Sequence, residues 1–366
     1  MSSYTVSPPG VVIDHSPAST GRYLGSPSIV ALPDGTYVTS LDFFGPGTTY
    51  NTSRVFRSAD RGATWTVAAE IEGNFWSNLF VHRGTLYFMG TTGQYKFAAL
   101  RRSEDGGRTW TTPQDGRSGL LRDDSMYHTA PMPVVEHDGK LWRAMEDMYP
   151  VQKWGRNFRA LMFSASVDDD LLDARSWTFS EPLASDGSLL GGAFGGWLEG
   201  NAVVTPDGGI VDILRVDYRK GDGEYAAIVR VSPDGRTLSF TPDDFVRFPG
   251  GCKKFTIRRD PEDGTYWTLS NAVGPGHESY NVERARNLLV LMKSSDLRAW
   301  EVTRRVLYHP QIDNHAFQYV DWQFEGDDLI VASRTAFDDG LGGAHNQHDA
   351  NFMTFHRVEQ FRRTEP

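Results

Sequence analysis

The chain has 366 residues, 39% of them hydrophobic and 12% aromatic, with a mean hydropathy of -0.44. That is ample material for a core, yet no apolar run reaches the ~20 residues of a membrane-spanning helix. A net charge of -10 argues against nucleic acid as a partner, and the lone Cys252 excludes a disulfide scaffold or a multi-thiolate metal site.

The composition favours sheet. With 37 Gly, 19 Pro, 10 Trp and 21 Phe, the chain is rich in turn formers and strand-favouring aromatics. No long stretch holds a helical period, so the fold class is all-β. The start, Met1-Ser2-Ser3-Tyr4-Thr5, has neither a basic segment nor an apolar one, and we expect a cytoplasmic protein.

Along the chain, short apolar runs meet at glycine turns. Ser28–Leu32 and Tyr37–Ser40 flank Asp34-Gly35, and the same grammar recurs at Arg83-Gly84 and Asp138-Gly139. It returns at Asp207-Gly208 between Ala202–Val204 and Ile210–Leu214, then at Asp263-Gly264 and Gly326-Asp327. These are hairpin signals, because glycine adopts the positive φ that tight hairpins need. Most are followed by a third strand and a second kind of turn. Ser58 to Trp65 and Ser103 to Trp110 both read S-x-D-x-G-x-T-W. Ser and Asp side chains can hold the turn's N–H groups while Trp plugs it onto the sheet. Degenerate copies stand at Ser232–Thr237 and Ser294–Trp300, with an interrupted one from Ser164 to Trp177. Six such units, at intervals of about 45 to 68 residues, predict a β-propeller of four-stranded antiparallel blades. A divergent blade within 112–127 or 271–290 would make seven. The last unit stops after its third strand, Phe352–Arg357, so the run Gly10–Asp14 is expected to close the ring as its fourth. We expect one domain over 1–366.

The S-x-D-x-G-x-T-W turn resembles the Asp-box of sialidase-like propellers. In true sialidases an arginine triad clamps the substrate carboxylate, and its first member opens the first inner strand. Gly25 stands at the matching place here, which argues against sialic acid hydrolysis. The stretch from Gly25 to Tyr37, continued by Ser40 to Gly45, looks more like another sialidase-related group. Those propellers, usually seven-bladed, remove rhamnose from glucuronic acid as lyases or rhamnosidases. The resemblance implies a carbohydrate-active enzyme and an acidic oligosaccharide or polysaccharide as its partner.

Topology locates the site independently. Inner-strand starts and second-strand ends share one face of the disc, close to its axis. The inner-strand starts supply Tyr23, Ser26, Asn74, Trp76, Ser77, Tyr127, His128, Trp197, Glu199, Asn201, Lys253, Lys254, His315, Gln318 and Tyr319. Second-strand ends supply Asp42, Glu146, Asp147, Arg215, Asp217, Asn271 and Arg334. Polar groups converging from every blade are how a catalytic pocket is built. Trp76, Trp197, Tyr127 and Tyr319 are candidates for packing on sugar rings. His82 and His137 flank far-face turns and read as surface residues, while Asp60 and Asp105 are turn-makers.

Two chemistries compete. Hydrolysis wants two carboxylates, which Asp42, Glu146 and Glu199 can provide. β-Elimination wants a base, His128 or His315, assisted by Tyr127 or Tyr319. It also wants cations for the uronate, here Lys253, Lys254, Arg215 and Arg334. These local cations tip the reading toward an anionic sugar and slightly toward elimination. No cofactor is required by either route. His345 and His348, with His315 or Asp349 as a third ligand, leave room for a divalent metal. A non-catalytic sugar-binding propeller is the third reading.

Overall fold

The computed structural model describes residues 7–150, 153–218, 220 and 223–363. Its strands form six antiparallel sheets in the order of the chain, and these are the blades of a six-bladed β-propeller. Blade 1 runs from the inner strand Tyr23–Ala31 through Tyr37–Phe44 and Thr52–Ser58 to Thr66–Glu72. Blade 2 repeats this from Phe75–His82 to Leu120–Arg122, and blade 5 from Thr256–Arg259 to Glu301–Tyr308. In blade 3 the inner strand is split into Met126–His128 and Val135–His137, both paired with Lys140–Met148. Blade 4 runs from Trp197–Val204 to an outer edge shared by Leu238–Ser239 and Phe245–Arg247. Residues 112–119 and 271–287 hold no blade; they are loops, and the count is six.

Blade 6 contains Ala316–Glu325, Asp328–Ala336 and Phe352–Val358, and its outer strand is the N-terminal Val11–His15. Val11 pairs with Phe355 and His15 with Phe352, so the two chain ends close the ring as expected. Arg54 of blade 1 reaches Asp14 at 3.0 Å, tying the closing strand to the next blade. Closure removes the open sheet edge that a broken ring would expose.

The core is divided among the blade interfaces. Each of the six neighbouring blade pairs encloses one main apolar cluster, such as Val30, Val38, Leu79 and Phe88 between blades 1 and 2. The two S-x-D-x-G-x-T-W turns are wired alike. Ser58 and Ser103 accept from the N–H of Gly62 and Gly107, each at 2.8 Å. Asp60 and Asp105 accept from the N–H of Thr64 and Thr109, each at 2.9 Å. Trp65 and Trp110 donate to the glycine carbonyls, and Trp300 and Trp177 make the same kind of bond in the imperfect copies. His82 departs from the surface expectation: it is buried, and its ring bonds the Val167 carbonyl of the adjoining blade. His137 likewise bridges to Gly208, so both act as rivets between far-face turns.

One buried group makes closure sensitive to acid. His356 lies in the strand that receives the N-terminus, with Nε2 2.8 Å from Thr354 Oγ1. Burial holds its imidazole down at about 4. The unfolded chain therefore takes up a proton before the folded ring does. Stability from this group is complete above about pH 6.5 and falls toward pH 4, by roughly 3 kcal/mol. We expect thermal melts between about pH 7 and pH 4 to show this loss, and His356→Leu to shallow the slope.

Candidate active site

A cavity of about 250 Å3 opens at the ring centre on the face carrying the inner-strand starts. Four blades deliver their residues to it by the same local device. In blades 1, 2, 4 and 6 the inner strand slips register between Gly25 and Ser28, Phe75 and Asn78, Leu198 and Asn201, and Gln318 and Asp321. Within each slip one non-glycine residue takes a left-handed backbone: Ser26 (φ 47°), Trp76 (φ 49°), Glu199 (φ 57°) and Tyr319 (φ 52°). All four line the cavity. A bulge re-aims a side chain that regular alternation would send elsewhere, and left-handed backbone costs of order 1–3 kcal/mol at a non-glycine residue. Strain repeated at one register in four of the six blades makes this mouth the candidate functional surface.

Two carboxyl groups face the cavity in opposite electrostatic states. Asp42 is 2% exposed, and burial pushes its carboxyl up to about 6 against the pull of Ser26, the Trp76 N–H and Arg334. The Trp76 N–H donates to Asp42 Oδ2 at 2.8 Å, so the blade 2 bulge fixes the blade 1 acid. Gly25 is required beside it, because a Cβ there would sit 2.6 Å from Asp42 Oδ1. The carboxyl occupies the room a side chain at 25 would need.

Glu199 is 4% exposed. Burial raises its carboxyl, but Arg215 and His128 outweigh that effect and hold it below the usual carboxylate range. Arg215 Nη1 donates to both carboxylate oxygens, at 3.1 and 3.0 Å, and to the Tyr319 hydroxyl at 3.3 Å. Its Nε is anchored on the Cys252 carbonyl at 2.9 Å. Gly200, next in the bulge, has no room for a Cβ because Asp212 Oδ1 would lie 2.1 Å away. Asp212 is a fully buried carboxyl in the layer beneath, with its pKa raised well above normal chiefly by desolvation and by Glu146.

His128 completes the wall. Its Nδ1 lies 2.9 Å from Glu146 Oε2, and Glu146 Oε1 accepts the Gly200 N–H at 2.9 Å. Glu146 is therefore not a cavity carboxylate; it orients His128 and the Glu199 bulge together. The imidazole stacks on Phe158 at 4.5 Å and meets Trp76 edge-on at 4.6 Å. On the opposite side Arg334 lies over Phe44 at 4.4 Å and Tyr319 at 4.8 Å. Its Nη2 is 3.1 Å from His348 Nδ1, and burial pulls the guanidinium down to about 10. His348 is held well below the usual imidazole range by desolvation and by Arg334.

Several expected residues lie elsewhere. Tyr127 is fully buried in the core between blades 2 and 3, donating to Asp124 at 2.6 Å; strand alternation turns it away from His128. Trp197 packs with Phe194 and Phe240 in the core between blades 3 and 4. Asn201 ties blade 4 to blade 5, accepting the Ile257 N–H at 2.9 Å. Asn271 donates to Phe317 O at 2.8 Å, linking blades 5 and 6. Gln318 holds the 347–348 backbone and accepts from Arg286 at 2.6 Å. Lys253 pairs with Glu224, away from the cavity. Lys254 lies below it, bound to Thr256 and the Val320 carbonyl, with burial drawing it down to about 8. Of the expected cations, Arg334 is the one that lines the cavity and has no carboxylate at ion-pair distance among the described residues. Asp147 pairs with Arg159 at the blade surface.

His315 is also outside. It is buried, stacks on His309 at 3.6 Å and meets Phe337 edge-on. That separates it from His345 and His348, which flank Asp349 instead. No group of three metal-ligating side chains occurs among the described residues, so the metal expectation is withdrawn. Sequence reasoning missed Phe44, Gln94, Tyr95 and Trp154, which line the cavity from mouth-side loops and a strand end.

No protein-family model matches this chain, and no curated protein sequence does. Solved structures do match it. A Penicillium chrysogenum alpha-L-arabinanase complexed with arabinobiose aligns with a TM-score of 0.59 at 15% identity, covering 98% of this chain and 100% of its own. A Fusarium graminearum alpha-L-arabinofuranosidase bound to an iminosugar inhibitor aligns with a TM-score of 0.60 at 12% identity, over 97% and 99% of the two chains. The Trypanosoma rangeli sialidase in complex with sialic acid gives a TM-score of 0.56 at 15% identity. There the alignment covers 92% of this chain and 54% of the sialidase. The fold is that of the sialidase-like six-bladed propellers. Likeness at these identities concerns fold alone. These neighbours support the propeller fold and lend no support to the resemblance to the rhamnose–glucuronate group.

Proposed function

We propose that the protein is an exo-acting glycoside hydrolase that removes one terminal sugar from an oligosaccharide. The observation that carries this reading is the pair Asp42 and Glu199. Two carboxyls in one cavity, one pushed up to about 6 and the other held ionised, is the division of labour that hydrolysis of a glycosidic bond requires. Protonated Asp42 gives its proton to the glycosidic oxygen as the bond to the anomeric carbon breaks. Glu199 faces the oxocarbenium-like charge as nucleophile or base, and water supplies the hydroxyl that ends on the released sugar. The Tyr319 hydroxyl shares Arg215 with Glu199 and lies in the same electrostatic unit. Glu146 Oε2, 2.9 Å from Nδ1, fixes the His128 ring and leaves Nε2 to meet a sugar hydroxyl.

The cavity supports hydrolysis better than elimination. Of the groups that elimination would need, Tyr127, His315, Lys253 and Lys254 are engaged elsewhere. Arg334 has no carboxylate at ion-pair distance among the described residues, which favours a terminal sugar bearing an acidic group. The hydrolases among the solved neighbours agree with the reaction class.

The test is a panel of methylumbelliferyl glycosides, including α-L-arabinofuranoside, α-L-rhamnoside and N-acetylneuraminate, with rhamnosyl-glucuronate oligosaccharides alongside. Release of a saturated monosaccharide is the expected result. A rise in ultraviolet absorbance from an unsaturated uronate would sink the proposal.

A further inference from the structure

The left-handed backbone at Glu199 persists only if its surroundings over-determine it. In the other three bulges the next residue brings a buried side chain of its own: Pro27, Ser77 and Val320. After Glu199 comes Gly200, which has none. It is gripped on two sides instead. Its N–H donates to Glu146 Oε1 at 2.9 Å. Against its Cα lies the Asp212 carboxyl, whose Oδ1, Cγ and Oδ2 would stand 2.1, 2.7 and 2.8 Å from a Cβ placed there. Gly200 itself does not take a positive φ, so its backbone would accept alanine. What excludes a side chain is Asp212.

Asp212 is costly to bury. It lies fully buried on the second strand of blade 4, and neither carboxyl oxygen has a hydrogen-bond partner among the described residues. Burial, and after it the charge on Glu146, hold the carboxyl well above its usual range, so it keeps its proton. Arg143 pulls the other way but is engaged elsewhere, donating to Asn78 at 3.0 Å, Thr129 at 2.9 Å and the Ala130 carbonyl at 2.8 Å. A buried carboxyl without partners adds nothing to stability, and an apolar side chain of that size would cost the fold less. Its contribution lies in where it sits.

We propose that Asp212 is a positioning residue for Glu199, a floor under Gly200 that fixes the bulge aiming Glu199 into the cavity. Glu146 holds the same residue by its N–H, and an uncharged Asp212 leaves the Glu146 charge to His128. That Glu199 acts on a glycoside rests on the hydrolase reading above; the support of its bulge does not.

The test compares four variants on whichever methylumbelliferyl glycoside of the panel the protein cleaves. Asp212→Ala should lower kcat about tenfold and move KM by less than about twofold, because the carboxylate is misaimed while the sugar still binds. Asp212→Asn, which keeps the shape without a charge, should retain the wild-type kcat. Gly200→Ala should lose activity as its Cβ meets the carboxyl. The double variant Gly200→Ala/Asp212→Ala should recover most of either loss, because the new methyl takes the room the carboxyl leaves. Wild-type kcat in Asp212→Ala, or losses that add in the double variant, would overturn the proposal. So would an equal loss in Asp212→Asn, which would show that charge acts and not shape. If no glycoside is cleaved, the hydrolase reading fails and the positioning role is judged on crystal structures of the variants. Glu199 displaced from Arg215 in Asp212→Ala and restored in the double variant supports it. The 3.0 Å contact kept intact in Asp212→Ala overturns it.

Discussion

Glu199→Gln should lower kcat by about a hundred- to ten-thousand-fold on every glycoside the protein cleaves, aryl substrates included. The substitution keeps the shape of the side chain and removes its charge. No other group in the cavity can replace that charge where the enzyme is active, because Asp42 must be protonated there, below about pH 6, and Glu146 is committed to His128 and Gly200. The change also leaves the Arg215 cation buried without its counter-ion. Breaking a buried pair from one side costs about 3–5 kcal/mol, so a lower Tm should accompany the lost activity. Rates must be read well below that Tm, with circular dichroism showing an intact ring. Full turnover in a folded variant would remove Glu199 from the chemistry.

Asp42→Asn should act differently. The wild-type kcat/KM is expected to fall about tenfold per pH unit above about pH 6, as the acid loses its proton. In the variant that alkaline limb disappears and the remaining rate is flat. Loss should be about a hundredfold or more on an oligosaccharide, whose leaving alcohol needs the proton, and small on an aryl glycoside, whose leaving group departs without it. The stability effect has the opposite sign to that of Glu199→Gln. A carboxyl whose folded pKa is raised costs the fold stability as pH climbs from about 3.8 to 6. An uncharged asparagine escapes that cost, so the variant should melt higher than wild type at neutral pH, by up to about 3 kcal/mol. An alkaline limb that survives the substitution would assign the acid to another group.

The fold was legible because propeller information sits in turns. Asp34-Gly35, Asp138-Gly139 and the S-x-D-x-G-x-T-W repeats announce backbone conformations that few residues can adopt, and such signals survive without any alignment. The site was legible only in part, and the reason is local. Trp197, Glu199 and Asn201 share one face of an ideal strand, so strict alternation sends all three to the axis. The bulge at Glu199 breaks that alternation. Glu199 enters the cavity, Trp197 enters the core between blades 3 and 4, and Asn201 turns to blade 5. Nothing in the residue types at Ser26, Trp76, Glu199 or Tyr319 signals a left-handed backbone, which is held there by the surrounding ring. Tyr95 and Trp154 were missed because they reach the cavity from loops whose paths the strand pattern does not specify.

The most direct test is mass analysis of the sugar released in oxygen-labelled water, from wild type and from Asp42→Asn and Glu199→Gln in parallel. The account predicts one labelled oxygen in each released monosaccharide, and near-total loss of that product in Glu199→Gln. An unlabelled, unsaturated product, or labelled sugar released by both variants at the wild-type rate, would contradict it.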